Sequence, residues 1–131
     1  MNRRVSIACL VFAVLFVASG ARAQSTFGAI LGQVTDPSGA AVPGAQVKVT
    51  NVATNVTVTV STNDGGNFEV PYLPPGTYQV AAEHTGFKSF VQPEVPVRVS
   101  GRVTLNIRLE VGEVTETVRV SGAPPQLETA N

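Results

Sequence analysis

The chain of 131 residues has no tryptophan, a single cysteine, a single histidine and few charges, 14% of its residues. Each scarcity excludes something. One cysteine, Cys9, cannot build a disulfide framework, and His84 alone cannot supply the three or four ligands of a protein-bound metal. Equal numbers of basic and acidic residues leave no electrostatic footprint for nucleic acid. No serine stands in a G-x-S-x-G elbow. The glycines punctuate turns and form no phosphate-binding loop. Asn63-Asp64-Gly65-Gly66-Asn67 lacks the ligand order of a calcium loop and reads as Asx-turn chemistry. The carboxylates lie scattered, apart from Glu113 and Glu116 near the C-terminus. We expect no catalysis, no metal and no cofactor.

Long apolar runs are also missing, except at the start. Arg3 and Arg4 precede an apolar stretch, Val5–Ala18, followed by Ala21-Arg22-Ala23 before Gln24. Positive n-region, short h-region and small-x-small site form a secretory signal peptide over residues 1–23, with cleavage specified by Ala21 and Ala23 ahead of Gln24. The apolar stretch falls short of the roughly 20 residues that span a bilayer. Cleavage would remove Cys9, Arg3, Arg4 and Arg22, leaving six basic against nine acidic residues, a net charge of −3.

Beyond Gln24, valine and threonine alternate. "QVKVTN" (Gln46–Asn51), "VTVTVST" (Val56–Thr62), "TYQVAAE" (Thr77–Glu83) and "VTLNIRLE" (Val103–Glu110) all keep a period of two with β-branched residues, the signature of half-buried strands. No window sustains a helical period. The expected inward set is Ile30, Val34, Val47, Val49, Val58, Val60, Phe68, Val70, Tyr78, Val80, Phe90, Val97, Val99, Leu105, Ile107 and Leu109.

Turn residues separate the runs. Asp36-Pro37-Ser38-Gly39 fits a type I turn, and Val42-Pro43-Gly44-Ala45 and Pro74-Pro75-Gly76-Thr77 fit type II, which places Gly44 and Gly76 at positive φ. Asn63-Asp64-Gly65-Gly66 and Ser100-Gly101 fit hairpins. About seven short strands with such turns point to an all-β fold, a seven-stranded antiparallel Greek-key β-sandwich over residues 24–110. Residues 111–131 read as an extended tail in which Val114–Val120 is either one more strand or a free segment. Tyr72, just before the double proline, is the best exposed aromatic for ligand contact.

"GQVTDPSGAAVPGAQVKVTNVAT" (Gly32–Thr54) followed by "TNDGGNFEVPYLPPGTYQVAAEHTGFKSF" (Thr62–Phe90) resembles the carboxypeptidase regulatory-like domain, a transthyretin-like sandwich. The resemblance implies a non-catalytic module, and the zinc-binding H-x-x-E pattern is absent because Thr85-Gly86-Phe87 follows His84. A leader, this sandwich and then "LEVGEVTETVRVSGAPPQLETAN" resemble the N-terminal extension of Oar-like TonB-dependent outer-membrane receptors of acidobacteria. "ETVRVSG" is similar to a TonB box, so Glu116, Thr117, Val118, Arg119 and Val120 are the candidate partner-binding strand. The resemblance implies export to the periplasm or outer membrane of a Gram-negative bacterium. It implies a TonB-type protein or a receptor plug and barrel as partner, with membrane contact only through that barrel. The chain is then part of a receptor or a small periplasmic protein. The alternative is a stand-alone module that binds glycans.

Overall fold

The computed structural model describes residues 25–120 and 127–129; the expected leader, with Ala21, Ala23 and Gln24, lies outside them. The described residues form ten strands and no helix. They are β1 (Gly28–Thr35), β2 (Gln46–Asn51), β3 (Thr57–Ser61), β4 (Asn67–Leu73), β5 (Gly76–Glu83), β6 (Ser89–Val97), β7 (Gly101–Thr104), β8 (Ile107–Arg108), β9 (Thr117–Arg119) and β10 (Leu127–Thr129). Two five-stranded sheets pack as a sandwich. One has the order β10-β7-β1-β4 with β8 also on β1; the other is β3-β2-β5-β6-β9.

The all-β sandwich agrees with the alternation, but the pairing is mixed. β1 runs antiparallel to β4 and parallel to both β7 and β8, and β6 runs parallel to β9. Alternation assigns a face to each side chain; it carries no information about which strand lies alongside or in which direction.

The core lies between the sheets. Ile30, Val34, Val70 and Val103 from the first sheet, and Val47, Val49 and Val80 from the second, are fully buried, with Phe68, Tyr78 and Phe90 nearly so. Each contributes roughly 1.5–3 kcal/mol of burial. Two expected core residues are exposed. Val58 is 39% exposed because β3 is an edge strand, and Val99 is 62% exposed because it sits in the corner between β6 and β7. Val60 is only partly buried for the same reason as Val58.

That corner is one of six places where consecutive strands lie in different sheets: β1 to β2, β3 to β4, β4 to β5, β6 to β7, β8 to β9 and β9 to β10. Asn63–Gly66 and Ser100-Gly101 are therefore sheet-to-sheet corners rather than hairpins. The local turn chemistry still holds. Asn63 Oδ1 accepts from the Gly65 and Asn67 amides, and Gly66 has φ +72°. Asp36 Oδ1 likewise accepts from the Ser38 amide and hydroxyl and the Ala40 amide, while the Gly39 amide closes the turn onto the Asp36 carbonyl.

At the other turns tertiary partners intervene. Gly44 has the expected φ of +71°, yet its turn is closed by Thr62, whose hydroxyl accepts from the Ala45 amide and donates to the Val42 carbonyl. Gly76 is not at positive φ, so the type II assignment for Pro74–Thr77 fails. Tyr78 holds that corner instead: its ring is buried, and its hydroxyl donates to the Pro74 carbonyl at 2.6 Å. A buried phenol needs an acceptor, and the carbonyl four residues back supplies it.

Gly32 matters for a different reason. A Cβ there would run into the Leu105 carbonyl, where β1 passes from its pairing with β7 to that with β8. Leu105 N donates to Leu31 O, and Asn106 Oδ1 accepts from Gln33 N, so the junction stays bonded.

Candidate functional site

Strict alternation along β4 would put Val70 inward, Tyr72 inward and Leu73 outward. The structure shows the reverse for the last two: Leu73 is buried and Tyr72 is 78% exposed. The cause is a β-bulge. Gly28 faces Leu73 and Ile30 faces Val70, so Pro71 and Tyr72 together oppose Ala29. Tyr72 takes up the extra residue at φ +58°, in the left-handed region where L side chains are strained. The bulge swings its ring outward against Phe27, edge to face at 6.5 Å, and Phe27 is itself 47% exposed.

The same device recurs on β6. Tyr78 faces Val95 and Val80 faces Gln92, so Pro93 and Glu94 oppose Gln79, with Glu94 at φ +58°. Phe90 and Gln92 point inward before the bulge, Val95 and Val97 after it. Both bulges consist of a proline followed by a residue at positive φ. The sequence carries a trace of this: the inward parity changes across Pro71 and again across Pro93.

The candidate partner-binding segment lies on the opposite edge. Ser89, Phe90 and Val91 of β6 face Thr117, Val118 and Arg119 of β9. Glu116 O accepts from Ser89 N, Val120 N donates to Val91 O, and the Ser89 hydroxyl donates to Val114 O at 2.7 Å. Lys88 pairs with Glu116 at 3.3 Å. Thr117 and Arg119 are exposed, whereas Val118 is half-buried against the sandwich. Glu116–Val120 thus forms an edge strand, far from Tyr72 in the fold: one ends the second sheet, the other marks the opposite edge of the first.

His84 packs edge-on to Phe87 at 5.7 Å, with Nδ1 2.9 Å from the Thr85 carbonyl. Its neighbour Glu83 pairs with Lys48 at 3.3 Å across the sheet. Among the described residues no three His, Cys, Asp or Glu side chains cluster as a metal site would require.

Comparison with known proteins agrees with this architecture. The carboxypeptidase regulatory-like domain family matches residues 29–110. The TonB-dependent transporter Oar of Myxococcus xanthus is 33% identical over 124 residues, 93% of this chain and 11% of the transporter. The chain thus spans about a tenth of that relative's length. Among solved structures, the TIE protein of Bacillus anthracis superposes with a TM-score of 0.57 at 23% identity, over 66% of this chain and 17% of that one. The catechol 1,2-dioxygenase of Acinetobacter radioresistens gives 0.56 at 12% identity, over 81% and 59%. At such identities the likeness is one of fold alone, and the sandwich is evidently shared by an enzyme and by proteins of other kinds. The match over residues 29–110, on a sandwich with the Gly32, Asn63–Gly66 and Tyr78 features in place, makes this chain a member of the carboxypeptidase regulatory-like domain family.

Proposed function

We propose that the chain is a non-catalytic accessory domain of TonB-dependent outer-membrane transport, exported by its leader and working in the periplasm. The observation that carries this reading is the 33% identity to a TonB-dependent transporter along 93% of the chain. A family of non-enzymatic modules and the scattered carboxylates fit it.

Within this reading, Glu116–Val120 is the segment that engages a TonB-type periplasmic protein, by adding a strand to it. The support is physical. β9 is three residues long and lies at a sheet edge, with Thr117 and Arg119 in solvent. Its backbone is available for strand addition on the side away from β6. Binding of the purified chain to the periplasmic domain of a TonB-type protein tests it, with an Arg119→Pro variant, which removes an N–H on the side away from β6, as control. Loss of binding in that variant is expected. Equal binding by both would exclude the segment, and recovery of no envelope protein by either would exclude the wider role.

The exposed Tyr72–Phe27 pair favours a second reading, glycan contact at the β4 bulge. A glycan array on which the wild-type chain and Tyr72→Ala behave alike would remove it.

A further inference from the structure

A sandwich has four lateral edges, and an unguarded one templates pairing with another chain. Three are short or interrupted here, and the short β9 is the edge already assigned to a partner's strand. β4 carries Glu69 and Pro71 and is twisted by its bulge at Tyr72. β9 and β10 are three residues each and contain Arg119 and Glu128. β3 differs: Thr57–Ser61 has five residues without charge, proline or glycine, and among the described residues nothing pairs with its outer side.

The free groups of β3 can be assigned. Asn51 N donates to Val56 O, and Thr62 N donates to Ala45 O, so Val56, Val58, Val60 and Thr62 address β2. Thr57, Thr59 and Ser61 therefore turn both N–H and C=O to the open edge. The hydroxyls of Thr50 and Thr57, 2.9 Å apart, fit the close approach of a pair that shares no backbone bonds. On the inner face Val58 is 39% exposed, with Val52 and Val56 more exposed still beside it.

We propose that β3 pairs antiparallel with β3 of a second copy, across a two-fold axis at Thr59. The strand is its own complement: read backwards from Ser61, Ser-Val-Thr-Val-Thr repeats the hydroxyl–valine alternation. In this register Thr59 faces Thr59 of the second copy, Thr57 faces Ser61, and Val58 faces Val60. Every outward N–H and C=O of the three hydroxyl residues then finds a partner. The half-covered valines meet on one face, no like charges oppose, and two five-stranded sheets become one continuous sheet. An edge pairing of this length buries less than the roughly 800 Å² per partner of a stable dimer. The association is accordingly reversible and grows with concentration. Because a two-fold contact closes on itself, it stops at the dimer.

Sedimentation across a dilution series of the purified chain should show a monomer–dimer equilibrium and nothing larger. Thr59→Pro removes an outward N–H while sparing the bonds to β2, so it should stay monomeric with an unchanged circular dichroism spectrum. In a Cys9→Ser background, Thr59→Cys should cross-link to a covalent dimer under mild oxidation, since facing hydrogen-bonded residues lie about 5.5 Å apart at Cα. Ser61→Cys should not cross-link alone but should do so when mixed with Thr57→Cys. A wild-type chain monomeric at every concentration, or equal cross-linking of Thr59→Cys and Ser61→Cys, would overturn the proposal.

Discussion

The Tyr78 hydroxyl donates to the Pro74 carbonyl, closing the corner between β4 and β5 from inside the sandwich. Tyr78→Phe keeps the buried ring and leaves the carbonyl without this partner. A loss of about 1–2 kcal/mol is expected in urea unfolding. Phe68→Ala, which empties a core position of similar size, should cost about 3–5 kcal/mol. A Tyr78→Phe change without effect would mean that the corner is held by its prolines alone.

Two glycines of the family pattern should respond in opposite ways. Gly32→Ala drives a methyl into the Leu105 carbonyl and should cost about 2–3 kcal/mol or more. At Gly76 the added methyl would meet only the Asn51 side chain at 3.5 Å, an ordinary contact, and φ is not positive. Gly76→Ala should be neutral or stabilising by about 0.5 kcal/mol. Thermal melts of the two variants decide this.

At most strand positions glycine is less stable than alanine, and Tyr72 should invert the order. Its φ of +58° strains any residue with a Cβ. Tyr72→Gly should exceed Tyr72→Ala by about 1 kcal/mol. The usual order in chemical denaturation would show that the bulge relaxes when the ring is gone.

Asp36 titrates below the ordinary carboxylate value, chiefly through its bond from the Ser38 hydroxyl; desolvation opposes this, and the Ala40, Ser38 and Gly39 amides add to the lowering. The folded chain therefore favours the carboxylate. This stabilisation is full above the unfolded-state value and is lost as pH falls through the lower folded one. Asp36→Asn should melt lower than wild type at neutral pH, with the gap narrowing in acid; a gap constant from pH 7 to pH 2 would exclude the cause.

Strand content was legible because β-branched alternation is a local property: Val47 and Val49 lie inward whatever strand lies next to them. The Asx loop at Asn63 and the Asp36 turn were legible for the same reason, since their bonds span four residues or fewer. Tyr72 was found as an exposed aromatic, but not why. Its exposure depends on a bulge that exists only against β1, and the parity change across Pro71 and Pro93 was its single local trace.

The sequence by itself determined an all-β chain, its inward faces and the family pattern. Each of these is written in spacings of a few residues. The tertiary structure decided which turns join strands of one sheet and which cross between sheets. It also decided that β1 takes β7 and β8 in parallel, that Glu116–Val120 lies along β6, and that Val58 stands at an open edge. Those outcomes depend on which backbones meet across long separations. There the winning arrangement is the one that buries the most apolar surface while leaving few buried backbone groups unpaired, and no short stretch encodes that sum.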